Sequence, residues 1–368
     1  MARIWIDILT PKQVYFLAEL TCKAEVMGHE VLLTTRHYRE VNELLALKGI
    51  EAIRIGRHGG STLKGKLEAN ARRVLGLIDI VTKYKPDVVV SSSSPEAARV
   101  AFGLGFPHIY ISDSPHAEAV CRLTIPLSRK LITPKIIPKK IWRKFGATPD
   151  MVVQYDALDP VVWIRSLHPD PHILDQLNLD SRRPIITFRA EEAFAAYLLG
   201  VVTDKEPVIL PVIKDLMDKL GDTAQFIALP RYGEQAHALR TALGNRLIIP
   251  KTAIDGPSLL SYTSIFIGAG GTMTTEAALL GVPTISCYPG QPTLVEEYLV
   301  KQDLVFRVTD PEKAAKKALR LFSQIEGFRK IQQEKAKALI AKMEDPVEVI
   351  TRTLEPYLTP SATTDPSE

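Results

Sequence analysis

The chain has 368 residues, 46% hydrophobic, 24% charged and 7% aromatic, a balance that excludes bulk disorder or a fibre and suits two cores of ordinary size. Lys and Arg total 46 against 42 acidic residues, a formal net charge of +4; that excess is too small for a nucleic-acid coat, so no nucleic-acid partner is expected. Cys22, Cys121 and Cys287 form no C-x-x-C pair, which points to a reducing cytoplasm with no metal site and no cofactor.

The first apolar run, 4–8, carries Asp7 where a secretory signal needs its apolar stretch, and no later run approaches the ~20 residues of a membrane-spanning helix. The same pattern then recurs: apolar run, polar turn, amphipathic stretch of helical period, apolar run. It predicts parallel strands at 4–8, 30–34, 52–55, 87–90, 108–111 and 130–133. From Met151 to Arg183 the steps Asp159-Pro160, His168-Pro169 and Asp170-Pro171 disfavour helix before each proline, and a linker is placed at 166–183. Strands resume at 184–188, 224–228, 246–249, 264–267 and 284–286. Residues 311–344 read as one or two surface helices and 359–368 as a disordered tail. The expected fold class is α/β, with two Rossmann-like domains, 1–165 and 184–345, and a C-terminal segment 346–368.

The most informative stretch leaves the strand at 264–267 through Gly268-Ala-Gly-Gly271 and enters a helix with Thr272-Met-Thr-Thr-Glu276. Gly268, Gly270 and Gly271 allow close backbone approach, and the free N–H groups and positive end of the helix attract phosphate, with Thr272, Met273 and Thr274 completing the cradle. Glu276, one turn in, is placed to accept hydrogen bonds from vicinal ribose hydroxyls. The alternative is a tight strand-to-helix turn with Glu276 as a surface acid. G-x-G-x-x-G is missing after the first strand, where Leu9-Thr-Pro-Lys-Gln13 stands, so hydride transfer is not expected; Walker A and H-E-x-x-H patterns are also missing.

Asp255-Gly-Pro-Ser-Leu-Leu260, the run Gly268–Gly281, Ile4-Trp-Ile-Asp-Ile8 and Leu123-Thr-Ile-Pro126 together resemble a domain family of unknown function that stands beside UDP-N-acetylglucosamine 2-epimerase and the glycosyltransferase-B fold. The resemblance spans residues 1–345. It implies two Rossmann-like domains facing across a cleft, with a nucleotide sugar held mainly by the second. It puts Glu276 on the acid that holds the nucleotide ribose and Arg189 on an arginine after the first strand of the second domain. His116-Ala-Glu-Ala119 resembles the epimerase His-Val-Glu-Ala-Gly segment, with Glu118 on a catalytic carboxylate.

Other epimerase features are replaced. Leu9-Thr-Pro-Lys12 stands for its Gly-Thr-Arg-Pro-Glu opening, Ser91-Ser-Ser-Ser94 for an aspartate, and Phe188 for a histidine, while a further glutamate has no counterpart between Ala119 and Arg122. Acid–base work at two sugar carbons needs positioned titratable groups. The leading expectation is therefore a glycosyltransferase using a nucleotide sugar, UDP-linked, on a glycan or lipid-linked acceptor. An epimerase or hydrolase acting on the same donor, and a non-catalytic nucleotide-sugar-binding protein, are the alternatives.

For transfer, Arg189, Arg231 and the helix end would stabilise the leaving diphosphate, and Glu118, His116 or Asp113 would take the acceptor proton. The plainer reading of these last three is a helix start capped by Asp113; for Arg231 it is a surface pair with Glu234. Thr10, Ser92, Ser93 and Ser94, at the carboxyl ends of strands, are candidate acceptor or sugar contacts, and Ser94 is equally a helix cap. No acid lies between Glu118 and Asp150, where eight Lys and Arg within 122–144 are interleaved with Ile136, Ile137, Ile141, Trp142 and Phe145. That mixture suits an anionic lipid surface with an aromatic ring at headgroup depth, and a peripheral membrane location. The alternative is a solvated basic loop whose apolar residues pack on the domain.

Overall fold

In the computed structural model, which describes residues 1–192 and 206–358, every expected apolar run becomes a parallel strand. The chain forms two units, Met1–Val162 with the segment from Glu344, and Trp163–Met343. The first unit runs β1 (Arg3–Ile8), α1 (Pro11–Val26), β2 (Glu30–His37), α2 (Arg39–Leu47), β3 (Ile53–Arg57), α3 (Leu63–Tyr84), β4 (Val88–Ser92), α4 (Pro95–Gly103), β5 (His108–Ile111), α5 (Glu118–Thr124), β6 (Lys130–Pro134), α6 (Lys139–Trp142) and β7 (Val152–Tyr155). Helix α7 (Val161–Ile164) spans the boundary, and the second unit continues with α8 (His172–Gln176), β8 (Ile185–Arg189), α9 (Leu210–Leu220), β9 (Gln225–Leu229), α10 (Gly233–Leu243), β10 (Leu247–Ile248), α11 (Gly256–Tyr262), β11 (Ile265–Gly268), α12 (Thr272–Leu279), β12 (Thr284–Ser286), α13 (Leu294–Lys301), β13 (Val305–Arg307), α14 (Pro311–Phe322) and α15 (Ile325–Ile340). The last helix, α16 (Pro346–Leu358), rejoins the first unit against α1 and β7.

Among the described residues the sheets have strand orders β3-β2-β1-β4-β5-β6-β7 and β10-β9-β8-β11-β12-β13. The central strands are buried on both faces, which is why they read as continuous apolar runs. Each order reverses once, between β1 and β4 and between β8 and β11, and such switch points are where open α/β sheets bind ligands beyond the strand ends. Register pairs Asp7 with Ser91 at the first and Arg189 with Gly268 at the second.

Two edge strands, β7 and β13, and helix α16 were not expected. Residues 166–183 are not a free linker, because Ile173 of α8 and Leu177, which follows that helix, bury against Ile185, Ile227 and Leu259 of the second unit. The C-terminal segment likewise does not stand alone up to Leu358, since Val347, Ile350 and Leu354 of α16 are buried. The expected disordered tail, 359–368, lies outside the described residues.

Asp7 is fully buried at the first switch point. Arg73 of α3 donates to it twice, Nη1 to Oδ2 at 2.9 Å and Nη2 to Oδ1 at 2.6 Å. Thr34 Oγ1 donates to Oδ1 and Ser94 Oγ to Oδ2, both at 2.6 Å, and Trp5 Nε1 donates to Thr34 at 2.8 Å. Burial opposes the charged carboxylate, but Arg73 and the hydroxyls outweigh it and hold Asp7 below its usual pKa. The linked stability is therefore present above the unfolded carboxyl's pKa and lost as pH falls through the folded value. Replacing Arg73 by Ala leaves a buried charge without its cation and should lower the first unit's stability by about 3–5 kcal/mol in urea denaturation. A loss below about 1 kcal/mol, the level of a surface pair, would contradict this account.

Candidate functional site

In the second unit, β11 ends at Gly268 and the chain turns through Gly270 (φ +93°) and Gly271 (φ +90°, ψ 174°) into α12. That second conformation belongs almost exclusively to glycine. Gly271 has no side chain to cap the helix, so the first N–H groups of α12 open onto an exposed bend. The Arg231 guanidinium, from the β9–α10 turn, lies over it: a Cβ added at Gly271 would stand 2.5 Å from Arg231 Nη2. Arg231 Nε donates to Ala190 O at 3.2 Å, and Nη1 pairs with Glu192 Oε2 at 3.2 Å rather than with the expected Glu234. Arg189 Nη1 reaches Leu229 O (3.2 Å) and Pro230 O (3.4 Å), so it ties down the turn that carries Arg231. The Tyr288 ring packs on Gly270, where an added Cβ would meet it at 2.7 Å.

Helix α12 divides its residues between two tasks. Met273 is packed among apolar neighbours, leaving only its backbone for a ligand, and Thr274 is buried. Thr272 and Glu276 are four residues apart and share a face, about 6 Å along the axis. Glu276 is 4% exposed and is not the surface acid of the plainer reading; its Oε1 accepts from Trp163 Nε1 at 2.9 Å.

The first unit gathers a second cluster beyond the strand ends. Lys12, in the first turn of α1, bridges Asp113 after β5 (2.6 Å) and Asp159 after β7 (2.5 Å), and Tyr155 donates its hydroxyl to Asp159. Burial works against the Lys12 ammonium, yet the two carboxylates raise its pKa well above the usual value. One cation against two carboxyls leaves one negative charge, and the pair divides it unequally. Burial would raise both; Lys12 overcomes this at Asp113, which is lowered, whereas Asp159 stays raised. His116, accessible at the rim, is lowered from 6.5 by the surrounding protein, with Asp113 only partly opposing. It is neutral near pH 7 and able to accept a proton.

The remaining expected residues fall in several places. Glu118 is exposed on the first turn of α5 and paired with Arg122 at 2.7 Å, four residues on, an ordinary helix-surface contact that lowers its pKa. Ser94 caps α4, accepting from Ala97 N at 3.1 Å while donating to Asp7, so its hydroxyl is engaged inside the unit. Ser92 is buried and its carbonyl accepts from Gln13 Nε2; half-buried Ser93 takes φ +60°. Thr10 is half-buried at the start of α1. In the basic stretch Ile137, Trp142 and Phe145 are core residues, exposed by 3% or less, so no aromatic ring there is free to enter a lipid headgroup layer. Lys139, Lys140, Arg143 and Lys144 remain exposed. Among the described residues no helix is long and apolar enough to cross a membrane and no group of His, Cys, Asp and Glu could hold a metal ion.

Lys12, Asp159, Tyr155 and Trp163 were not anticipated. Lys12 was visible only as a departure from the epimerase opening, and Asp159 only as the residue before a proline. An acid four residues beyond Tyr155 would have signalled a strand-end carboxylate had β7 been recognised.

Two Rossmann-like domains of parallel sheet, each with polar side chains at its switch point, give the chain a glycosyltransferase-B-like fold. The chain belongs to the family described as proteins of unknown function, DUF354, whose model matches residues 2–358. It is 34% identical over 312 residues to the uncharacterized protein MJ0665 of Methanocaldococcus jannaschii, covering 83% of this chain and 88% of that one. It shares its fold with UDP-GlcNAc 2-epimerase from Neisseria meningitidis bound to UDP-GlcNAc (TM-score 0.73, 17% identity, 96% and 100% of the two chains). The spinosyn rhamnosyltransferase SpnG is also similar (TM-score 0.62, 16% identity, 97% and 100%).

Lys12→Met removes the one cation that faces both carboxyls. At least one of them should then bind a proton in the folded state, so the variant should lose stability as pH rises from about 5 to about 8 in thermal denaturation, with a total cost of about 3–5 kcal/mol relative to wild type. Unchanged stability across that range would contradict the charge count.

Proposed function

We propose that this chain is a glycosyltransferase that takes a sugar from a UDP-linked donor and passes it to a glycan or lipid-linked acceptor hydroxyl. The observation that carries the reading is the Arg231 guanidinium lying over the glycine bend at the start of α12, with the Glu276 carboxylate one turn further along the same helix. An accessible helix start with an arginine attracts a diphosphate, and a carboxylate one turn along accepts from a ribose diol. The fold shared with a UDP-GlcNAc 2-epimerase bound to UDP-GlcNAc supports the same donor class, and the fold shared with a rhamnosyltransferase supports sugar transfer.

In this reading the second unit binds the donor through Arg231, the α12 N–H groups and Glu276, with Arg189 holding the Arg231 turn. In the transfer the acceptor oxygen bonds to the anomeric carbon and loses its proton to a base while the bond from that carbon to the diphosphate oxygen breaks, and Arg231 and the helix end of the second unit stabilise the departing charge. Within the first unit, His116 is a group able to take a hydroxyl proton. Asp113, kept ionised by Lys12, stabilises the resulting imidazolium. Glu118, exposed and paired with Arg122, is left out of this step. The exposed Lys139, Lys140, Arg143 and Lys144 suit an acceptor carrying phosphate, as in a polyprenyl-phosphate-linked glycan, with the protein at the cytoplasmic side of a membrane.

One observation favours a second reading. Asp113 and Asp159, of unequal proton affinity on one lysine, are the kind of positioned acid and base that an epimerase or hydrolase needs. Incubation with UDP-N-acetylglucosamine alone separates the two, because an isomer or free sugar formed without acceptor belongs to the second reading.

Titration calorimetry with UDP and UDP-N-acetylglucosamine should show saturable binding. Glu276→Ala and Arg231→Ala should each weaken it by about 10-fold to 100-fold, the loss of charge-assisted hydrogen bonds worth roughly 1.5–3 kcal/mol. Wild-type protein that binds neither ligand would overturn the proposal.

A further inference from the structure

Beyond the carboxyl ends of β2 and β3 the first unit carries cationic and N–H donors that the reading above does not use. Arg36, near the end of β2, is half-buried with its Nε enclosed, and among the described residues its guanidinium has no hydrogen bond and no ion pair. It lies over the Tyr38 ring, 5.9 Å from the centre, and the His58 imidazole stacks on the same ring at 5.1 Å. His58 Nδ1 accepts from Gly60 N at 3.2 Å, so the ring proton sits on Nε2, which is not enclosed and has no partner among the described residues. The loop holding His58 is fixed to the first turn of α3, since a Cβ added at Gly59 would stand 2.5 Å from Lys66 Cα.

The charges of this corner are those of a site that lacks its counter-ion. Burial lowers Arg36 below its usual pKa; Glu96 of α4 opposes this without pairing with it, and Arg73, already engaged by Asp7, adds to the fall. Burial, then the Arg36 and Lys66 cations, push His58 down to about 4. Glu40, the other acid of the corner, accepts from the Tyr38 hydroxyl at 3.4 Å. A half-buried cation costs stability unless an anion meets it. A carboxylate would bring two oxygens and one charge, whereas a phosphate monoester brings three acceptor oxygens and nearly two charges to donors that converge from separate elements.

We propose that Arg36, His58 and Lys66 form an anion site for the phosphate group of a phosphate ester: the guanidinium fork and the imidazole Nε2–H donate to its oxygens, and Lys66 adds charge. The site lies beyond the strand ends, one strand from the first switch point, where open α/β sheets bind ligands. It stands on the first unit's own geometry, so failure of the donor reading leaves it intact.

The test is NMR of the full chain with inorganic phosphate near pH 7, read at the imidazole resonances that His58→Gln removes. They should shift saturably in wild type, and Arg36→Gln should weaken the response by about 10-fold or more. Resonances that phosphate leaves unmoved, or moves equally in Arg36→Gln, would overturn the proposal. Arg231→Ala should leave the response unchanged; its loss there would put the phosphate at the glycine bend and overturn the site. Sulfate, dianionic throughout, should raise the wild-type His58 midpoint from about 4 toward 6.5, because an adjacent anion favours the charged ring. If Arg36→Gln does not fold, this arm decides, and a midpoint that stays near 4 contradicts the proposal. Glycerol 3-phosphate and phosphatidylcholine vesicles containing phosphatidic acid separate a soluble ester from a lipid headgroup. A response to either supports the site, and a response to inorganic phosphate but to neither ester would overturn the assignment.

Discussion

Where the strand order of a parallel sheet reverses, the crossovers leave on opposite faces and the carboxyl ends of two neighbouring strands part with no connection between them. This chain has that gap twice, between β1 and β4 and between β8 and β11, and fills it in two ways. At the first, Asp7 draws in Arg73, Thr34 and Ser94 until its charge and hydrogen bonds are met. At the second, glycines with φ near +90° keep side chains out of the bend and an arginine lies across it. The first gap is consumed in holding the unit together. The second retains an anion-attracting helix start, and the functional reading follows from that difference.

Two arrangements of buried charge in the first unit divide along the same line. The Asp7–Arg73 pair is balanced, one cation to one carboxylate, and its change of protonation lies in the acid range. The Lys12 cluster has one cation for two carboxyls, so Asp113 is held below and Asp159 above the usual carboxylate range, and it sits beside an imidazole held neutral near pH 7. An unbalanced buried cluster costs stability, which is why the proposed chemistry draws on it rather than on the Asp7–Arg73 pair.

The interior strands were legible because burial on both faces writes an uninterrupted apolar run into the sequence. Edge strands β7 and β13 carry little of that signal, and the proline steps after β7 directed attention to a linker where α8 and the residue after it in fact bury Ile173 and Leu177. The glycine bend was legible because its backbone conformations exclude other residues. Glu276 was assigned correctly to that helix, but its burial and its bond to Trp163 depend on packing across 113 positions that no local pattern encodes. Glu118 stood out through a four-residue resemblance, whereas its solvent exposure is a tertiary property. Trp142 and Phe145 looked amphipathic in one dimension and are core residues in three. Lys12 and Asp159 could be paired only once β7 was placed beside β6.

The central claim is that the bend at Gly270 and Gly271 is a diphosphate site and not only a turn. A crystal structure of the chain with UDP tests it most directly. The account predicts the diphosphate within hydrogen-bonding distance of the first N–H groups of α12 and the Arg231 guanidinium, with the ribose hydroxyls on Glu276. UDP bound elsewhere, or with Arg231 and Glu276 both out of its reach, would contradict it.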